Sequence, residues 1–332
     1  MTDQQKKVNG LIERIEKHQK ALKLSDNQFV ARYQRHLGSA KTWRERLCGR
    51  NWTELGSHLE KWEGKLNAFT RELDGDAAMD EFYRELPIAR YGFAMYDALQ
   101  GSRTDRRCAV LCGSYGIGKT WTLRRIALDN PTRAVFVSAN ETWKDSRMQI
   151  VRGFATALGC PEGKSAAETF QNVAAHLQAN PITVLVDELH EGGVLLMKLI
   201  KALINETRAK FMVGTYPTAW NRLVCGSTDA TAEAQQLLGR TMKPIRTDWV
   251  SGLKIKDIEK YLELSTGLNG ECKLLAETLL LEVKRCGNLR LLADAVELAK
   301  MNADENGEIL DVAHIEAAVH ILAPNEKNKE IR

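Results

Sequence analysis

Gly113, Gly118, Lys119 and Thr120 complete the spacing G-x-x-x-x-G-K-T, and these residue types at this spacing are suited to gripping a triphosphate. Glycines let the backbone fold closely around phosphate, and successive amides at a helix N-terminus point at its negative charge. The candidate cradle is Gly113, Ser114, Tyr115, Gly116, Ile117, Gly118, Lys119, Thr120 and Trp121. Lys119 is placed to reach the β- and γ-phosphates, and the Thr120 hydroxyl to ligate Mg2+. A second group of residues can do chemistry on what that loop holds. The run Ile182-Thr183-Val184-Leu185-Val186 ends in Asp187-Glu188. Asp187 is the candidate metal ligand, and Glu188 the carboxylate that polarises an attacking water. Thr215, at the end of Phe211-Met212-Val213-Gly214, is the candidate contact to the γ-phosphate or the lytic water. The chain is therefore expected to bind ATP with Mg2+ and to hydrolyse it.

The elements needed to position these groups follow from the apolar pattern. Cys108–Cys112 suits a buried parallel strand, and Trp121–Ala127 after it a helix. Strands are predicted at 134–137, 182–186 and 211–214, with helices at 148–158, 167–177 and 195–206, an alternation that makes a parallel α/β sheet. Residues 234–240 suit a helix that ends on Arg240, and Arg246 follows. From Leu253 the pattern turns wholly helical. Helices are expected at 255–262, at 271–286 with Leu274, Leu275, Thr278, Leu279 and Leu281 as its apolar side, after Gly287-Asn288-Leu289-Arg290, and at 312–322.

The N-terminal part is helical and basic. Residues 8–22 have apolar positions at helical spacing, and Ser25 can cap a short helix bearing Phe29, Val30 and Tyr33. A turn through Leu37-Gly38-Ser39 leads to a second short helix, Ala40 to Leu47, which is the outline of a helix-turn-helix. The spacing of Phe29, Ala31, Leu37, Trp43 and Leu47 resembles the phage-repressor type of that motif. This implies that the second helix presents Ser39, Lys41, Thr42, Arg44, Glu45 and Arg46 to duplex DNA. A three-helix interaction module with a solvated basic face is the alternative. Residues 1–74 carry 15 Lys and Arg against 10 Asp and Glu, the bias that phosphate neutralisation wants. Trp52 to Phe69 is expected to continue as helix, and Leu73-Asp74-Gly75-Asp76 to break it. The resulting division is 1–74, 75–250, 251–325 and a polar tail, 326–332.

Charge and cysteine content bound the function classes. The net charge is +4 over 332 residues, so its distribution carries more than its total. The 7 cysteines show no paired metal-ligand spacing, which points to buried thiols in a reducing compartment. The first residues lack an apolar signal core, and no run has the length to span a bilayer. A cytoplasmic protein without a membrane partner is expected.

With Gly113–Thr120, Asp187-Glu188 and Gly287-Asn288-Leu289-Arg290 in hand, the chain resembles an AAA+ ATPase. Its layout is similar to the MuB-like target-DNA-binding ATPases of transposing phages and the related TnsC and IstB regulators. That resemblance implies an α/β fold: an N-terminal helix-turn-helix domain, a P-loop AAA+ parallel α/β sandwich and a C-terminal helical lid. It also implies that Arg240 is a finger acting on a neighbouring subunit's nucleotide, with Arg246 as its rival, and that Arg290 is the lid arginine. The implied partners are duplex DNA, a transposase and further copies of the chain in a ring or helical filament. Inside such an assembly Lys144 and Arg147 could meet DNA phosphates. Two departures stand out: Thr215 occupies a position where many AAA+ proteins carry Asn, and the lid is acidic. A helicase loader or replication-initiation ATPase, and a nucleotide-gated helix-turn-helix transcription regulator, are the alternative functions.

Overall fold

The apolar runs at Cys108–Cys112 (β1) and Thr183–Asp187 (β3) form strands in which every residue is buried, as in a sheet covered on both faces. The computed structural model describes residues 1–22, 24–102, 104–225, 235–243 and 253–323. By internal contacts the chain divides into two compact units, Met1–Asp80 and Glu81–Arg332.

In the first unit α1 (Asp3–Leu22) is followed by α2 (Asp26–Arg32) and α3 (Gln34–Leu37). Ser25 caps α2 as expected, its hydroxyl and the Gln28 side chain satisfying each other's backbone amides. After Gly38, which takes φ 74°, the chain turns helical again at residue 40 and winds as a π-helix over Thr42–Cys48. Helical segments therefore lie on both sides of Gly38, the second of them wound mostly as a π-helix. Phe29, Tyr33, Trp43 and Phe69 pack with Leu37 and Leu47 in the core of this unit, and the Trp43 indole donates to Gln19 Oε1 at 2.9 Å. Aromatic pairs at this density stabilise beyond the area they bury.

Two boundaries differ from expectation. Residues 52–69 are not one helix: α4 (Trp52–Leu55) and α5 (Leu59–Glu85) are separated by a 3-10 turn at Gly56–His58. Residues 73–76, expected to break the chain, lie inside α5. A lone glycine in a helix costs only about 1 kcal/mol, which the helix-forming Glu, Leu, Ala and Met residues around Gly75 absorb.

In the second unit α6 (Pro87–Gly101) starts on a proline, which needs no amide partner there. Strands β1, β2 (Ala134–Ser138), β3 and β4 (Lys210–Thr215) make a parallel sheet in the order β1-β4-β3-β2. Thr241 bridges Cys108 in parallel and so extends the sheet beyond β1. The helices α7 (Lys119–Asp129), α8 (Arg147–Leu158), α9 (Ala166–Ala179), α10 (Leu189–Glu206) and α11 (Pro217–Cys225) complete the alternation. Of these, α11 is absent from the sequence reading, and α10 is broken at Gly193 (φ 52°, ψ −142°), so that one turn precedes the break and the main helix starts after it, close to the expected Leu195. Residues 235–239 are helical and end on Arg240.

The C-terminal helices are α12 (Ile255–Thr266), α13 (Cys272–Cys286), α14 (Leu289–Asn306) and α15 (Val312–Leu322). Helix α13 is rotated from the expected face: Cys272, Leu275, Ala276, Leu279 and Val283 are buried, whereas Leu274 is 75% and Leu281 78% exposed. Leucines surround this helix, so its neighbours rather than its own pattern choose the inward face. Among the described residues no helix is long and apolar enough to cross a membrane.

Candidate functional site

Parallel strands bring their carboxyl ends to one edge, and the register places the expected chemistry there. Cys112 lies opposite Thr215 and Ser138 opposite Asp187. The Gly113 amide donates to Thr215 O at 3.1 Å, so the P-loop leaves β1 beside the tip of β4. Within the loop Gly116 and Gly118 take φ 68° and 102°. A Cβ on Gly113 would lie 2.4 Å from Ile117 Cδ1, so a side chain there would have to push the Ile117 side chain aside.

Lys119, the first residue of α7, is 8% exposed and donates to Gly113 O and Ser114 O, both at 2.8 Å. Burial pushes its ammonium pKa down, while Glu188 and Asp187 pull it up. Asp187 is 1% exposed, and its Oδ1 has no hydrogen-bond partner among the described residues. Thr215 Oγ1 is likewise buried without a partner. Gly214 is small for a reason: a Cβ there would stand 2.7 Å from Asp187 Oδ1. A buried carboxylate oxygen left free is costly in an apolar interior, and a hard cation with its water shell satisfies it. Thr120, half-buried in the first turn of α7, carries a hydroxyl of the hard-oxygen type, so the chemistry of Asp187 and Thr120 suits Mg2+.

Glu188 takes φ 53° and ψ 44° at the start of α10, a left-handed conformation uncommon for a residue with a side chain. Its pKa is raised, first by burial and then by Asp187. His190 stands against it, Nδ1 3.3 Å from Glu188 Oε2 and Nε2 3.2 Å from Glu191 Oε1. The imidazole meets the Tyr216 ring edge-on at 4.5 Å, and Tyr216 packs on Tyr115 of the P-loop at 4.7 Å. The residue reading missed His190 and Tyr216. A histidine two positions after the acidic pair was the only signal available.

Lid residues complete the site. Arg290, in the first turn of α14, joins Tyr83, Tyr115, Lys119, Thr120, Trp121 and Glu188 around a cleft of ≈ 330 Å³. Tyr115, Glu188 and Arg290 also line a second cleft of ≈ 480 Å³ with His190 and Glu191. Tyr83 and Trp121 stack at 5.3 Å with rings 22° apart. The structure thus brings together Gly116, Gly118, Lys119, Thr120, Trp121, Glu188 and Arg290 around one cavity. Asp187 and Thr215 stand at the strand ends beside it.

Other expected residues lie elsewhere. The Arg240 carbonyl accepts from Cys108 N at 3.0 Å, which puts it at the opposite end of β1 from the P-loop. Four residue rises of about 3.3 Å separate the two ends, beyond the reach of an arginine side chain. Arg246 lies outside the described residues. In the N-terminal unit Arg44 pairs with Asp26 at 2.7 Å, Arg46 with Glu54 at 2.9 Å and Lys41 with Glu45 at 3.9 Å, the three cations being exposed. Lys144 is exposed after the turn that follows β2, and the Arg147 guanidinium stands 5.9 Å over the Phe170 ring.

Comparison with known proteins agrees with this geometry. A family model described as an AAA domain matches residues 102–223. Among curated proteins no match was found. Among solved structures, Cdc6p from Pyrobaculum aerophilum is similar at 18% identity and TM-score 0.53, over 73% of this chain and 71% of that one. The ORC1 protein of Aeropyrum pernix, solved in complex with DNA, is similar at 17% identity and TM-score 0.51, over 72% of this chain and 65% of that one. The ORC2 protein of the same organism, solved as ADPNP-ADP complexes, is similar at 15% identity and TM-score 0.51, over 72% of this chain and 69% of that one. The second unit therefore holds a parallel α/β sheet with a P-loop and a helical C-terminal region; residues 102–223 match an AAA domain, and the likeness to the Cdc6 and ORC structures is one of fold.

Proposed function

We propose that the protein is a Mg2+-dependent ATPase that oligomerises on duplex DNA and whose grip on DNA is set by the nucleotide it holds. The observation that carries this reading is the convergence of Lys119, Thr120, Glu188 and Arg290 on one cleft, with Asp187 Oδ1 and Thr215 Oγ1 buried and unpaired beside it. In the mechanism, the P-loop amides and Lys119 bind the triphosphate. Lys119 exchanges the Gly113 and Ser114 carbonyls for phosphate oxygens, a gain because ionic hydrogen bonds are the stronger kind. Asp187 and Thr120 would hold Mg2+, which neutralises charge on the phosphate oxygens. Glu188 orients and polarises the attacking water, and Thr215 hydrogen-bonds that water or the γ-phosphate. Its raised pKa makes Glu188 a better proton acceptor than an exposed carboxylate.

Arg240 cannot serve its own cleft from the far end of β1, and this supports a role in trans on a neighbour's nucleotide. Such an arginine is worth about 10³–10⁵ in rate and makes turnover depend on assembly. Duplex DNA would be met by Lys41, Thr42, Arg44 and Arg46, with Lys144 and Arg147 available inside the assembly. Target selection for a transposase and stimulation of that transposase is the biological role suggested by the layout. The likeness to the Cdc6 and ORC folds favours a second reading, a helicase loader or replication-initiation ATPase with the same core. Phosphate release with Mg-ATP tests the common part: the wild type should turn over faster with duplex DNA, Glu188→Gln should bind without turnover, and Lys119→Ala should bind more weakly and not turn over. Wild-type turnover matched by Lys119→Ala would refute it. Co-purification with a transposase or with a replicative helicase separates the two roles.

A further inference from the structure

Where the lid meets the P-loop, a residue with a side chain occupies a conformation that suits glycine. Asn288 takes φ 57° and ψ −129° and is 2% exposed. Any Cβ is strained there. Gly287, just before it, takes φ 125°, so a second glycine was the relaxed solution. What asparagine adds is a donor. Its Nδ2 donates to Tyr115 O at 2.8 Å, and the next amide, Leu289 N, donates to Gly116 O at 3.2 Å. Two consecutive lid residues thus hold two consecutive P-loop carbonyls. The fit leaves no slack, because a Cβ on Gly116 would lie 1.9 Å from Gly287 O and 3.2 Å from Arg290 N.

The consequence for the cradle follows from the planar trans peptide. In each unit the N–H points opposite to the C=O. Holding the Tyr115 and Gly116 carbonyls toward the lid turns the Gly116 and Ile117 amides to the other side, as a concave anion nest requires. The orientation of the Asn288 amide is forced, since its oxygen facing Tyr115 O would set acceptor against acceptor. Asn288 Oδ1 is buried with no hydrogen-bond partner among the described residues, so the side chain is held for its donor.

We propose that Asn288 is a positioning residue that latches the lid to two P-loop peptide planes, so that delivery of Arg290 and the aim of the Gly116 and Ile117 amides are set together. The latch rests on the nucleotide-binding reading above. It makes lid position and nucleotide occupancy one linked equilibrium, since a ligand that needs those amides favours the latched state. An asparagine that merely shaped the start of α14 would behave differently: glycine, easier at this φ, would then serve as well or better.

The test is equilibrium binding of a methylanthraniloyl-ATP to the full chain, followed by fluorescence anisotropy, with thermal melts alongside. The variants are Asn288→Gly, Asn288→Asp, Arg290→Ala and the Asn288→Gly/Arg290→Ala pair. Asn288→Gly should melt at or above the wild type yet bind roughly five- to tenfold more weakly, the worth of one lost hydrogen bond. Asn288→Asp, an acceptor against a carbonyl, should bind at least as weakly. Arg290→Ala should weaken the wild type but have little further effect on Asn288→Gly. Wild-type affinity in Asn288→Gly overturns the latch, and strict additivity with Arg290→Ala overturns the delivery of the arginine. A wild type that binds no probe overturns the nucleotide reading itself, a result distinct from either.

Discussion

In the proposed function Lys119 and Glu188 divide the work of the site, so their substitutions should separate its two steps. Lys119→Ala removes the one buried ammonium of the cleft and should lower ATP affinity by about 10- to 100-fold, the value of a charge-assisted hydrogen bond. Isothermal titration measures this directly. Glu188→Gln keeps size and removes the base, so affinity should hold while kcat falls by about 10²–10⁴. A fall in affinity without loss of kcat would assign Glu188 to binding instead. Both residues were legible in the sequence because their spacing to glycine and to an apolar strand has a chemical reason. Their neighbours were not. His190 touches Glu188 from only two residues along the chain, but Tyr216 reaches Tyr115 and His190 because β4 lies between β1 and β3, a contact no local pattern encodes. Asn288 was visible only as part of a lid motif, and its contact with Tyr115 spans the chain between them.

The elements show where local pattern governs and where neighbours do. The apolar strands β1, β3 and β4 fell where expected because buried parallel strands admit few polar residues. Helix α5 did not end at Gly75, because one glycine is a weak stop without a cap or proline after it. Gly75→Ala tests that continuity: with nothing within 4 Å of the added Cβ, it should stabilise the protein by about 0.5–1 kcal/mol in a denaturant melt. A destabilised variant would place a break there after all. Helix α13 offers leucine on several faces, and only packing in the lid selects Leu275 and Leu279 over Leu274 and Leu281. Leu279→Ala should therefore cost about 2–5 kcal/mol. Leu274→Ser and Leu281→Ser, at exposed positions, should fall within about 0.5 kcal/mol of the wild type in the same melt.

For the whole molecule, the proposed function links nucleotide, neighbouring copies and DNA in one equilibrium. ATP shifts assembly only if it binds the assembled state more tightly, and an arginine supplied from a neighbour would provide that difference. Arg240→Ala should accordingly leave ATP affinity of the dilute chain unchanged and abolish the stimulation of phosphate release by DNA. Unaltered stimulation would move the role to another arginine. Lys41, Arg44 and Arg46 are exposed and paired with Glu45, Asp26 and Glu54, and such pairs exchange readily for DNA phosphate. Replacing each by Ala should weaken DNA binding for all sequences alike and flatten the salt dependence by about one counterion per residue. The measurement that bears most directly on the central claim is electron microscopy of the protein with duplex DNA and ATP. The account predicts ordered rings or filaments on the DNA for the wild type, persistent ones for Glu188→Gln and none for Lys119→Ala. Assemblies formed equally well by Lys119→Ala, or by the wild type without nucleotide, would contradict it.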